Sequence, residues 1–257
     1  MPETGSPLRA LRASHERLAA LVKGMTPEQL TGPAYPTEWS VAQTLSHIGS
    51  SAEVFRLITD AGLSGGEAPG REVMVAIWQR WNALPAEAQA AGCVAANERL
   101  LRHWESLEVQ ELAGFHLAVF GREMDAVGLL RGRLSEHAIH TWDIDVALDP
   151  AATVAADAVD ELVDFLPVMT GRAGKPLEIA LTLEVATTGP GRHLALALDG
   201  VRLEPWSEQE ASGALHLPAE ALLRLVYGRL DAAHTPPLTL SAPALTLDDL
   251  RAVFPGF

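Results

Sequence analysis

"TEWSVAQTLSHIGSSAEVFRLITDAG" occupies residues 37–62, and the spacing of its apolar residues decides its structure. Val41, Leu45, Ile48, Ala52 and Phe55 recur at i, i+4, i+7, i+11 and i+14, which is one stripe along a helix. Thr37 or Ser40 is placed to cap the start, and Gly62 to end it. His47 shares a stripe with Val54 and Ile58, seven and eleven residues on, so a helix sets this imidazole partly among apolar neighbours.

Similar periodicity surrounds this segment. "SPLRALRASHERLAALVKGM" (6–25) carries Leu8, Leu11, Leu18, Leu21 and Val22 at helical spacing, with Ser6 as a candidate cap. "GLSGGEAPG" (62–70) reads as a flexible loop. A third helical region covers about 71–106 and is broken at Pro85; a fourth covers about 121–148 and is stopped by Asp149-Pro150. Four such helices predict an N-terminal bundle. The pattern changes after Pro150. One more helix is expected at about 152–168. "LEIALTLEV" then alternates, with Ile179, Leu181, Leu183 and Val185 on one face, as a half-buried strand does. Asp199-Gly200 between two short alternating runs signals a hairpin. Two strand-then-helix segments follow, the first with Pro218 opening its helix. The expectation is an α+β chain of two domains: a helical bundle at 1–150 and a small mixed α/β domain at 151–257.

Composition narrows the function. Hydrophobic residues make up 48%, enough for a substantial core, and the net charge of −14 argues against nucleic acid and anionic membranes as partners. A single cysteine, Cys93, excludes disulfide frameworks and cysteine-built zinc sites within one chain; its small-residue, helix-like surroundings favour packing over nucleophilic catalysis. The N-terminus lacks an apolar signal core and no run approaches the ~20 apolar residues of a membrane span. A cytoplasmic, soluble protein is expected.

The densest group of potential ligands is "SEHAIHTWDID" (135–145). Glu136 and His140 are four apart and share one face of a helix. A catalytic metal site takes three protein ligands and keeps an open position, so the third must come from elsewhere. His47 on a facing helix would complete a set of two histidines and a carboxylate, suited to Zn²⁺ and also to Ni²⁺ or Fe²⁺. Spacing alone leaves alternatives open. His137 with His140, or His140 with Asp143, is also within reach. Asp125, Glu136, His140 and Asp143 with Arg133 could equally be a solvated stripe. Asp143 could instead fix the tautomer of His140. Trp39, Trp78, Trp81 and Trp142 either line a pocket or pack in the core, with core packing the ordinary use of such side chains.

Two motifs carry a resemblance. In "EWSVAQTLSHIGSSAEVF" a Trp opens a helix and a His follows eight residues later; "LRGRLSEHAIHTWDIDVAL" holds the pattern E-x-x-x-H-x-x-D. Together they resemble the mycothiol-dependent maleylpyruvate isomerase family, within the wider DinB-like (YfiT-like) group of metal-binding four-helix bundles. "ALHLPAEALLRLVYGRL" is similar to a strand–helix–Gly-Arg segment of that family's C-terminal α/β domain, so the resemblance spans almost the whole chain. It implies metal ligands at His47, Glu136 and His140 and a functional, co-substrate-binding arginine at Arg229. It implies a divalent metal, Zn²⁺ first, and mycothiol as co-substrate. The implied activity is cis–trans isomerisation by addition of a metal-bound thiolate to an activated double bond. A thiol S-transferase, or a binding module without turnover, are the other outcomes. The partners expected are a small thiol and an electrophile, with the protein a monomer or weak homodimer.

Overall fold

The computed structural model describes residues 4–36, 38–119, 122–208 and 210–256. The chain divides into two compact units, Met1–Thr153 and Val154–Phe257.

The first unit contains α1 (Gly5–Lys23), α2 (Pro27–Thr31), α3 (Val41–Ser64), α4 (Arg71–Asn82), α5 (Ala86–Glu105), α6 (Val109–Gly114), the strands β1 (His116–Val119) and β2 (Arg122–Asp125), and α7 (Ala126–Leu148). The four long helices close a ring in which α1 and α3 each pack on both α5 and α7. Val41, Leu45, Ile48 and Ala52 of α3 are all buried, as the periodicity requires. Ser40 is the cap: its hydroxyl accepts from the Gln43 N–H while the Gln43 side chain accepts from the Ser40 N–H. Thr37 lies outside the described residues.

Helix α3 runs past Gly62 to Ser64 and ends at Gly65, whose φ of 69° supplies the left-handed turn. Gly62 has a different use: a Cβ there would fall 2.2 Å from the Phe115 ring, so its hydrogen lets that aromatic lie against the helix. Helix α1 begins at Gly5, with Thr4 rather than Ser6 in the capping position. Pro85 separates α4 from α5 as expected. The fourth helix starts later than its periodicity suggests. An antiparallel β1–β2 hairpin, paired from His116↔Asp125 to Val119↔Arg122, precedes it, and Asp125 caps α7 by accepting from the Gly128 N–H at 2.7 Å.

The second unit contains α8 (Ala156–Leu162), a 3₁₀ turn (Val163–Phe165), α9 (Leu166–Ala173), β3 (Thr182–Thr188), β4 (His193–Ala197), β5 (Arg202–Pro205), β6 (Gly213–Pro218), α10 (Ala219–Val226), β7 (Thr239–Ser241) and α11 (Leu247–Val253). The sheet order is β5-β4-β3-β6-β7; only β3 and β6 run parallel. Strand β3 starts at Thr182, so the alternation of 177–181 lies ahead of it and Ile179 is exposed. The Asp199-Gly200 hairpin forms with a four-residue connection, since Ala197 pairs with Arg202. Its left-handed residue is Val201 (φ 42°), an unfavourable place for a β-branched side chain. Burial offsets that strain: Val201 sits on Gly174, where a Cβ would meet its Cγ1 at 2.1 Å.

Candidate metal centre

The segment before α3 is tied down at both ends. Pro33 and Ser40 form an isolated antiparallel bridge, the Ala34 N–H donates to the Trp39 carbonyl at 2.9 Å, and the Tyr35 N–H donates to the Asp143 carbonyl at 2.9 Å. This loop joins the start of α3 to the C-terminal part of α7, and the Trp39 ring lies beside both of their histidines.

His47 on α3 and Glu136 and His140 on α7 come together: one ligand atom from each lies within 4.8 Å of the other two. Glu136 Oε2 is 3.1 Å from His47 Nε2 and 3.8 Å from His140 Nε2. The imidazole rings meet edge to face at 4.6 Å. Tetrahedral ligands about 2.1 Å from Zn²⁺ stand about 3.4 Å apart. Changes in separation of up to about 1.4 Å therefore bring these three atoms to ligand spacing, and the residues fit a divalent cation with one position open. All three side chains are half-buried, so a ligand has a route in.

The electrostatics agree with this use. Burial pushes the His47 imidazole below its usual value, partly opposed by its hydrogen bond with Glu136, so His47 favours the neutral form a metal requires. Burial would raise the Glu136 carboxyl. The hydrogen bond from His47, with the electrostatic influence of the neighbouring His140, His47 and Arg133 side chains, outweighs it and holds the group down at about 2. Glu136 is thus a carboxylate at neutral pH, ready as an anionic ligand.

Asp143, the candidate orienting group, is fully buried and its Oδ2 lies 2.8 Å from His140 Nδ1. A carboxylate accepts, so Nδ1 carries the proton and Nε2 presents its lone pair to the centre. His137 turns away: it is fully buried, with Nδ1 2.8 Å from the Ser14 hydroxyl. The solvated-stripe reading fails for two of its members, since Arg133 and Asp143 are wholly buried. Arg133 Nη2 donates to the Ile48 carbonyl and to Asn97 Oδ1, and the guanidinium lies 5.5 Å from the Phe55 ring centroid. Burial lowers its pKa to about 10, so it stays a cation.

The tryptophans divide. Trp81 and Trp142 are buried, and Trp78 is exposed on α4. Trp39 is 37% exposed, with ring centroids 5.4 Å from His47 and 6.3 Å from His140. The core-packing expectation therefore does not hold for Trp39, which forms an aromatic wall of the centre. Arg229 lies in the second unit, just after α10, largely buried, its Nη1 donating to the Tyr227 carbonyl at 2.8 Å. The lone thiol of Cys93 is buried on α5 and pushed up to about 12 by that burial, in keeping with a packing role. Among the described residues no helix is long and apolar enough to cross a membrane.

Comparisons with known proteins place this geometry in a family. The model of the mycothiol maleylpyruvate isomerase N-terminal domain matches residues 11–145, which include His47, Glu136, His140 and Asp143. Two solved structures share the fold: a mycothiol-dependent maleylpyruvate isomerase, at 14% identity, and a histidine-to-alanine mutant of a mycothiol-dependent maleylpyruvate isomerase, at 13%. Each aligns over 96% of this chain and 95% of its own, with a TM-score of 0.70. No curated protein matches. With more than half of its length matched, this chain belongs to the mycothiol maleylpyruvate isomerase N-terminal domain family.

Proposed function

We propose that the protein is a divalent-metal- and mycothiol-dependent cis–trans isomerase acting on an activated double bond of the maleylpyruvate type. The observation that carries this reading is the set of ligand atoms from His47, Glu136 and His140, gathered within 4.8 Å from two helices. The solved structures of similar fold are described as mycothiol-dependent maleylpyruvate isomerases, which supports the choice of thiol and reaction. A divalent cation held there, Zn²⁺ first, supplies the positive charge that favours a thiolate over a thiol near neutral pH.

The protein's own groups do the rest. His47 and His140 offer neutral nitrogens, and Glu136 offers one negative charge, so the centre keeps net positive charge for an anionic sulfur. Asp143 holds the His140 proton on Nδ1 and keeps Nε2 aimed at the cation. Trp39 shields one side of the centre from water. A conjugated electrophile gains a carbon–sulfur bond from the thiolate, turns about the resulting single bond, and regains its double bond as the thiolate leaves. No atom is gained or lost over the cycle. Arg229 is the proposed partner for a substrate carboxylate, for which a guanidinium is geometrically suited. To serve, it must exchange its bond to the Tyr227 carbonyl; R229A should then raise KM with kcat little changed.

Purified protein should hold one divalent metal per chain and convert maleylpyruvate only when mycothiol is added. H47A and H140A should lose both metal and turnover. Full metal content and activity in both variants would sink the reading; metal binding with a retained thiol adduct would redirect it to S-transfer.

A further inference from the structure

The three proposed ligands come from two helices, so the centre exists only if α3 and α7 are held in register. Metal sites tolerate errors of about 0.2 Å in ligand distance. Apolar packing is non-directional and does not by itself fix one helix against another to that tolerance. Hydrogen bonds at defined angles do.

Arg133 makes such bonds where they are needed. It sits three residues before Glu136 on α7 and has no exposed surface. Its Nη2 donates at 2.9 Å to the carbonyl of Ile48, the residue after His47 on α3. The same nitrogen reaches Asn97 Oδ1 on α5, and Asn97 Nδ2 donates at 2.9 Å to the Cys93 carbonyl. The ring of Phe55, two turns beyond His47, lies against the guanidinium. Among the described residues Nε and Nη1 have no hydrogen-bond partner. This buried cation therefore receives no bidentate carboxylate pairing, the usual compensation for a buried arginine. An apolar residue of similar volume would fill the space without that desolvation.

We propose that Arg133 is a positioning residue for the metal centre: its guanidinium pins the His47–Ile48 turn of α3 to the Glu136 turn of α7, with Asn97 of α5 as the anchor behind it. The inference rests on the metal reading of His47, Glu136 and His140. Arg133 sets where the ligands stand and does not touch the metal or the substrate.

Cobalt gives a readout that stability alone does not move. Metal-free, full-length protein is titrated with Co²⁺, recording both the dissociation constant and the visible d–d bands, which report ligand geometry. R133K keeps the charge but loses the planar fork; N97A removes the anchor; L101A, a core truncation on the same helix as Asn97, reports general loss of packing. R133K and N97A should bind Co²⁺ about tenfold more weakly and with altered band intensities, as loss of outer support does at other metal centres. L101A should keep the wild-type spectrum and affinity. If R133K does not fold, N97A decides alone. Wild-type affinity and spectrum in R133K and N97A overturn the inference, as does an equal loss in L101A. Wild-type protein that takes up no Co²⁺ overturns the metal reading itself, and this inference with it.

Discussion

A histidine can offer a metal either ring nitrogen, and the proton on the other decides which. Asp143 makes that choice for His140 by holding the proton on Nδ1 at 2.8 Å. D143N puts an amide in a buried slot shaped for an acceptor, and either ring tautomer can then form. Metal affinity, read by chelator competition, should fall about 10–100-fold while the circular dichroism stays native. The spacing of Glu136, His140 and Asp143 was legible in the sequence because i, i+3 and i, i+4 positions share a face in any helix. The burial of Arg133 was not legible. A helical wheel groups it with the polar residues, and its acceptors, Ile48 and Asn97, lie 85 and 36 residues away along the chain. Trp39 was ambiguous for the same reason, since only the folded loop sets its ring against both histidines.

The long helices announced themselves through periodicity, and short elements did not. The β1–β2 hairpin has four residues per strand, too few for alternation to stand out, although Leu117 and Val119 are the buried positions of β1. Helix α2 has five residues, yet Thr26 and Gln29 form a capping box that marks its start in the sequence. The 177–181 segment alternates ahead of β3 and is bonded at both ends to Leu198: the Leu177 N–H donates to the Leu198 carbonyl and the Leu198 N–H to the Leu181 carbonyl, each at 2.9 Å, while Ile179 between them stays exposed. The bundle also has a polar clasp that pattern does not reveal: Arg12 of α1 pairs with Glu98 and Glu105 of α5, at 2.7 Å for the latter. The hydrogen bonds from Arg12 and Arg102 hold Glu98 below its usual carboxylate value. A lowered carboxylate stabilises the fold above its unfolded pKa of about 4.3 and loses that contribution as pH falls through the folded value. R12A should therefore lower the urea midpoint at pH 7, by about 0.2–1 kcal/mol in stability. As pH falls through the lowered folded value of Glu98 the two proteins should converge; a difference that persists at the acid end of the range would assign the loss to packing.

All three proposed ligands belong to the unit Met1–Thr153. Removing the cation with EDTA should speed amide exchange in α3 and α7 and leave β3, β4 and β6 unchanged, because binding energy stabilises the segments that supply the ligands. Uniform acceleration in both units would show that the cation acts elsewhere. The net charge of −14 makes the comparison with H47A essential, since an acidic surface collects cations without a built site. Two-domain organisation was visible in the sequence as a switch from helical to alternating periods. The hydroxyls, carbonyls and amides that lock each element were not, because they depend on who the neighbours become. One buried atom has a practical consequence. Helix α3 lies so close over Cys93 that a Cβ at Gly49 would come within 3.0 Å of the Cys93 Cα, and the thiol itself is pushed up to about 12. A protein proposed to bring thiols and electrophiles together thus keeps its own sulfur inert. Alkylation of Cys93 by iodoacetamide at pH 8 should proceed only as fast as the bundle opens, which makes the chain's single sulfhydryl a built-in clock for its own unfolding.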